Sequence, residues 1–123
     1  MSMPIRRPCP LEISMEICSQ RWALQILNQL MTGPKRFSEL SASLNGISKK
    51  TLSARLKHLV EIDLIDRKEL AIAPPHVEYS LTDLGEQFRL VFDAMTFWGT
   101  SYVKYHMEVS KKLEEDISNY DFS

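Results

Sequence analysis

The side chains in this sequence that suggest chemistry are neither paired acids nor nucleophiles beside bases. They are cations and small hydroxyls gathered in one stretch: Ser48, Lys49, Lys50, Thr51, Ser53 and Lys57. At about 100° per residue, with Leu52, Leu56 and Leu59 turned inward, Lys50, Ala54 and Lys57 point almost directly away from the apolar stripe. Thr51 and His58 flank that outer face on one side and Ser53 on the other. Lysines beside small or hydroxylated residues let a helix approach a polyanion closely and let short side chains reach base edges. The plain alternative is a solvated amphipathic face, and the surrounding elements decide between the two.

Charge along the chain favours the first reading. The net charge is −1, yet residues 35–68 carry eight Lys/Arg against four Asp/Glu, a local +4. Residues 1–34 carry +1, and residues 69–107 and 108–123 carry −3 each. Local field governs phosphate binding more than total charge does. With 44% hydrophobic and 25% charged residues in 123, the chain is predicted to be one folded domain with short extensions. No stretch reaches the roughly 20 apolar residues of a membrane helix and no signal peptide is evident, so a cytoplasmic protein without membrane contact is expected. Cys9 and Cys18 are too few for a thiolate zinc site, and His58, His76 and His106 lack ligand spacing, so neither metal nor cofactor is expected. There is no phosphate loop, nucleophile elbow, carboxylate pair or metal cluster, which argues against an enzyme.

The elements that must position these residues can be read in order. Residues 1–10, with Pro4, Pro8 and Pro10 and the pair Arg6-Arg7, suggest an extended arm. Leu11, Met15 and Cys18 predict a short first helix. Trp22, Ile26, Leu27 and Leu30 predict a second, from about Arg21 to Met31, stopped by Thr32-Gly33-Pro34. Ser38 is predicted to cap a third helix over Glu39–Leu44. After the turn signal Asn45-Gly46, Ser48 is predicted to cap a fourth running to about Ile62, with Leu52, Leu56, Leu59 and Val60 inward. Two short helices about a glycine-containing turn make a helix-turn-helix.

Behind it, Leu64–Lys68 and the alternating His76-Val77-Glu78-Tyr79-Ser80-Leu81 flank Ala73-Pro74-Pro75, predicting a β-hairpin with a Pro-Pro tip, placed as a wing. Arg67, Lys68 and His76 on the wing, with Arg36 and Ser38 at the start of helix three, are candidate backbone contacts. Thr82 is predicted to cap a long last helix, about residues 82–109. Its apolar positions Leu84, Phe88, Val91, Met95, Trp98, Tyr102, Tyr105 and Val109 are spaced alternately four and three apart. This heptad exceeds what so small a core needs and predicts a seam with a second copy. Residues 110–123 suggest a polar tail. The expected architecture is mainly α with a small β-hairpin wing, a winged helix-turn-helix over residues 11–109, dimeric through its terminal helices.

Several blocks, in order, resemble the HxlR-type winged helix-turn-helix regulators, relatives of the MarR type. They are Cys9-Pro10, Arg21-Trp22, Gly33-Pro34-Lys35-Arg36-Phe37-Ser38-Glu39-Leu40, Gly46-Ile47-Ser48-Lys49-Lys50-Thr51-Leu52, and Pro74 through Gly85. The resemblance implies a prokaryotic, homodimeric DNA-binding transcription regulator. Its partner would be double-stranded DNA with a pseudo-palindromic operator, and its first and last helices would form the dimer seam. One departure stands out. The family commonly follows its first helix with Gly-Gly-Lys-Trp, whereas this chain has Cys18-Ser19-Gln20-Arg21-Trp22, so helix one is expected to run on or to turn differently.

Cys9 matches the cysteine that some family members use to sense electrophiles or peroxide, and Arg6 and Arg7 lie near enough in sequence to favour its thiolate. The alternative for Cys9 is a packing thiol, and Cys18 suggests a core cysteine. Phe88, Phe92, Phe97, Trp98, Tyr102 and Tyr105 are candidates for lining a small-molecule effector pocket between protomers, though aromatics at helical spacing more often serve core and seam. The competing function is a winged-helix module for protein contacts without DNA. Lysines at positions 50 and 57 weigh against it, because a docking face would be apolar there.

Overall fold

The computed structural model describes residues 9–71 and 73–119. Arg6 and Arg7 therefore lie outside the described residues. Helix α1 spans Pro10–Ser19, with proline at the first position, where its missing N–H costs nothing. Cys9 is the N-cap, its carbonyl accepting from the Ile13 N–H at 3.0 Å. Pro10 thus belongs to the helix rather than to the arm. At the departure from the family pattern, the helix runs on through Cys18 and Ser19. It then turns at Gln20–Trp22, with Trp22 left-handed at φ 73°. The Arg21 guanidinium lies 5.5 Å from the Trp22 ring centroid, a cation–π contact. Because Trp22 leaves helical geometry, helix α2 begins only at Ala23 and ends at Leu30.

A two-residue strand, β1 (Lys35–Arg36), leads into helix α3 (Phe37–Ser43). Ser38 is not its cap. Arg36 holds that position, and the Glu39 carboxylate reaches back to accept from the Arg36 N–H at 2.9 Å. An acid three residues into a helix satisfies an otherwise orphaned donor and meets the positive end of the dipole. Gly46 sits at φ 88° in the turn before helix α4 (Lys49–Glu61), a conformation side-chain-bearing residues rarely adopt.

Helix α4 ends in a paired set of backbone bonds, Asp63 N–H to Val60 C=O and Leu64 N–H to Leu59 C=O, both 3.0 Å. This is the Schellman arrangement, with Asp63 rather than glycine in the left-handed position at φ 63°.

Strands β2 (Ile65–Leu70) and β3 (His76–Leu81) form the predicted hairpin, and β1 joins it to give the antiparallel order β1-β3-β2. β1 was not expected. Thr82 caps as predicted, accepting from the Gly85 N–H at 3.0 Å, while its hydroxyl donates to the Asp63 carbonyl at 2.6 Å. What it caps is a short helix, α5 (Asp83–Glu86), separated at Gln87 from the long helix α6 (Phe88–Ser118). Gly85 permits close approach, since a Cβ there would overlap the Leu64 carbonyl. The predicted single helix from residue 82 is therefore two, and the second runs well past position 109, through most of the predicted polar tail.

The core gathers Ala23, Ile26, Leu27 and Leu30 from α2, Leu40 from α3, and Leu52, Leu56 and Leu59 from α4, with Leu44, Leu64, Ile65 and Tyr79. Val60, expected with them, is half-buried. α2 and α3 lie against β3, and α4 against β2. Each fully buried leucine contributes roughly 1.5–3 kcal/mol of transfer free energy, so the stripe that holds the α4 axis also fixes which side chains face outward. Two compact units divide the chain at residue 88. The first contains the helix-turn-helix and wing, and the second is essentially helix α6.

Candidate nucleic-acid interface

On α4 the predicted outer face is realised. Lys49, Lys50, Ser53, Ala54 and Lys57 are exposed, opposite the buried Leu52, Leu56 and Leu59. Ser48 works at the helix start: its Oγ accepts from the Thr51 N–H at 3.1 Å and donates to the Thr51 Oγ at 2.9 Å. That bond occupies part of the hydrogen-bonding capacity of Thr51, which is half-buried. Ser53, exposed beside the lysines, is the less encumbered hydroxyl. Lys50 and Lys57, seven residues apart, sit two turns apart on one side, roughly 10 Å along the axis.

Arg36 is exposed at the junction of β1 and α3, and Ser38 is exposed in the first turn of α3. Because the backbone of Arg36 serves both the cap and the strand, its side chain is not needed for either. The two wing cations differ. Arg67 donates to the Glu69 carboxylate at 3.0 Å and stands directly opposite Tyr79 on β3, and these two neighbours push its guanidinium pKa further up. A guanidinium engaged in this way stiffens the hairpin and has fewer donors left for phosphate. Lys68 is exposed on the opposite face of β2. His76 pairs with Leu70 at the outer end of the hairpin, its Nδ1 3.3 Å from the Pro74 carbonyl oxygen.

One cation escaped the sequence reading. Arg55, half-buried on α4, has a buried Nε without a hydrogen-bond partner. The helical projection sets it beside the apolar stripe, where a long cation is easily taken as flanking packing. Its type and its place between Thr51 and His58 were the available signal.

Cys9 is exposed at the N-cap of α1. Cys18 is half-buried, and burial pushes its thiol above the ordinary range. Among the described residues no three His, Cys, Asp or Glu side chains gather as a metal site would require, and no helix is long and apolar enough to cross a membrane.

The predicted seam residues fall on two helices and a boundary. Leu84 is exposed on α5, Phe88 and Val91 are half-buried at the start of α6, and Met95, Trp98, Tyr102 and Tyr105 are exposed along it. Trp98 stacks on Tyr102 with centroids 5.2 Å apart, and Tyr102 packs on His106 at 4.3 Å. This aromatic row lies open on one helix surface.

Comparison with known proteins agrees with this geometry. The family model for the HxlR-like helix-turn-helix matches residues 17–107. The HTH-type transcriptional regulator YvaP of Bacillus subtilis is 36% identical over 96 residues, covering 77% of this chain and 89% of that protein. The reduced form of the Bacillus subtilis transcriptional regulator YodB superposes with a TM-score of 0.69 at 37% identity, covering 74% of this chain and 90% of that one. YodB is also known in diamide-treated and quinone-bound forms. The redox regulator HypR, in its oxidised form, superposes with a TM-score of 0.68 at 29% identity, covering 76% of this chain and 96% of that one. With a helix-turn-helix whose second helix turns its lysines outward, and with relatives of this kind over most of its length, the chain belongs to the HxlR-like helix-turn-helix family of DNA-binding transcriptional regulators.

Proposed function

We propose that two copies of this chain bind a pseudo-palindromic operator, each laying α4 into a major groove, and that the thiol of Cys9 tunes the binding. The observation that carries the first part is the orientation of α4. Its buried leucines fix Lys49, Lys50, Ser53, Ala54 and Lys57 outward, with Arg36 and Lys68 exposed on neighbouring elements. Lysines and Arg36 would grip phosphates, and Ser53 with Thr51 would touch base edges. The exposed heptad face of α6 is the surface for a second copy, since a helix with Met95, Trp98, Tyr102 and Tyr105 in water is unsatisfied alone.

The operator is obtained by selection from random duplexes. It is expected to contain two half-sites about one helical turn apart, with Lys50→Glu and Arg36→Glu each losing binding. If both variants bind as tightly as the parent, α4 is not the reading element, and the protein-docking alternative takes its place. For the thiol, diamide is expected to weaken operator binding in the parent and in Cys18→Ser but not in Cys9→Ser. Exposure of Cys9 and the redox behaviour named for HypR support this part. An unchanged diamide response in Cys9→Ser refutes it.

A further inference from the structure

Strand pairing brings together three charged residues that the sequence keeps far apart. Arg36 on β1 is paired directly with Glu78 on β3, and Glu78 is paired directly with Lys68 on β2. Residues directly opposite one another share a sheet face, with Cβ atoms about 4.5–5.5 Å apart. Arg36, Glu78 and Lys68 therefore form one transverse row, with the carboxylate on the central strand and a cation on either side. The other face carries the row Lys35, Tyr79, Arg67. Glu78 is half-buried, whereas Arg36 and Lys68 are exposed. Asp66 also lies on this face of β2, but opposite Ser80, two residues along from Lys68.

We infer that Glu78 is a charge brake on DNA binding: its carboxylate, on the central strand of the row between Arg36 and Lys68, limits how strongly that row attracts the phosphate backbone. This rests on the proposed DNA contact by those two cations. The acid sits centrally, so it weakens both cations at once, and the three-stranded register places it there. Phosphate contacts carry no sequence information. The brake therefore lowers affinity for every duplex alike and leaves base reading to α4. Its consequence is less protein held on bulk DNA, because non-specific binding is almost entirely electrostatic. An acidic residue flanked by two candidate phosphate contacts otherwise works against the surface it occupies.

The test is Glu78→Gln, which keeps size and hydrogen-bonding capacity and removes the charge. Fluorescence anisotropy on a random-sequence duplex and on the selected operator, across about 50–200 mM salt, reads both affinity and salt slope. The expected result is tighter binding of both duplexes, about fivefold or more near 0.1 M salt, and a slope steeper by about one for each protomer bound. Glu78→Asp, which keeps the charge, should retain the parent slope. In an Arg36→Ala, Lys68→Ala background the gain from Glu78→Gln should largely vanish. Unchanged affinity and slope, or weaker binding, in Glu78→Gln overturns the inference, as does an equal gain in the background lacking both cations. If instead the parent protein binds no duplex at 50 mM salt, the DNA reading itself has failed, a result distinct from failure of the brake.

Discussion

Lys50 offers the cleanest perturbation of the proposed interface. It is exposed, it lies in the first turn of a helix capped by Ser48 rather than by itself, and it points away from the leucine stripe. Lys50→Ala exchanges one good helix former for a better one, so helix α4 and the fold should be untouched. If Lys50 neutralises a phosphate, its loss lowers the slope of log affinity against log salt by about 0.9 per contact. For two copies on one operator that is about 1.8. Over a fourfold rise in salt, from 50 to 200 mM, it makes the deficit of the variant shrink about twelvefold. The assay is anisotropy of a labelled operator at several salt concentrations, with thermal unfolding as a check on the fold. A base contact behaves differently: Ser53→Ala should cost roughly 1–3 kcal/mol on the operator alone, with little change on a scrambled duplex. Parallel salt slopes for the parent and Lys50→Ala would refute the phosphate role. Equal affinities as well would remove Lys50 from the interface.

Other outcomes follow from particular residues. Trp98→Glu places an unpaired carboxylate in the proposed seam at a cost of several kcal/mol, so light scattering should show a dimer for the parent and a monomer for the variant. A monomeric parent would dismiss the seam. Asp63→Gly should raise stability by about 0.5–1 kcal/mol, because glycine accepts the left-handed conformation at φ 63° without steric cost. The carbonyl that Thr82 donates to is retained in this variant, and a lower melting temperature would show that the carboxylate itself contributes. Burial holds the Cys18 thiol above its ordinary pKa, so less of it is thiolate near neutral pH. Cys9, which is exposed, should react faster with a thiol-specific reagent at pH 7, and the rate of Cys18 should keep climbing as pH rises beyond the ordinary thiol range. Equal rates at neutral pH would contradict this.

The parts of the fold that were legible in the sequence are those with a period. Leucines at positions 52, 56 and 59 orient α4 by themselves, and the alternation over His76–Leu81 with a Pro-Pro turn marks the hairpin. β1 has two residues, too few for any alternation to register, and exists because Lys35 and Arg36 pair with Tyr79 and Glu78. Ser38 has the side chain of a cap, but an acid at Glu39 can satisfy the start of the helix two residues earlier, at Arg36, and the chain uses that route. The last helix was cut short for a similar reason. Beyond Val109 the spacing changes from alternating threes and fours to Val109, Leu113, Ile117, while charged residues fill the positions between them. The composition looks like a tail, yet every residue there is compatible with a helix and no proline interrupts it.

Cations were harder to read than helices, and the reason is physical. A lysine or arginine is recognisable in sequence, but its value to a phosphate depends on which acids stand beside it, and in a sheet those neighbours come from distant positions. Arg67 has the composition of a backbone contact and is tied to Glu69 and Tyr79. Arg36 and Lys68 lie 32 residues apart in sequence and share Glu78. On a helix the near neighbours are three and four residues away, so the charge environment of Lys50 and Lys57 can be read directly. Ala54 is four residues from Lys50 and three from Lys57, so the two lysines share a neutral neighbour, and only Glu61, one turn beyond Lys57, brings an acid to that face. The α4 surface should therefore supply most of the salt-dependent affinity at its N-terminal end. The sheet should contribute a weaker grip, set by Glu78 rather than by the number of its cations.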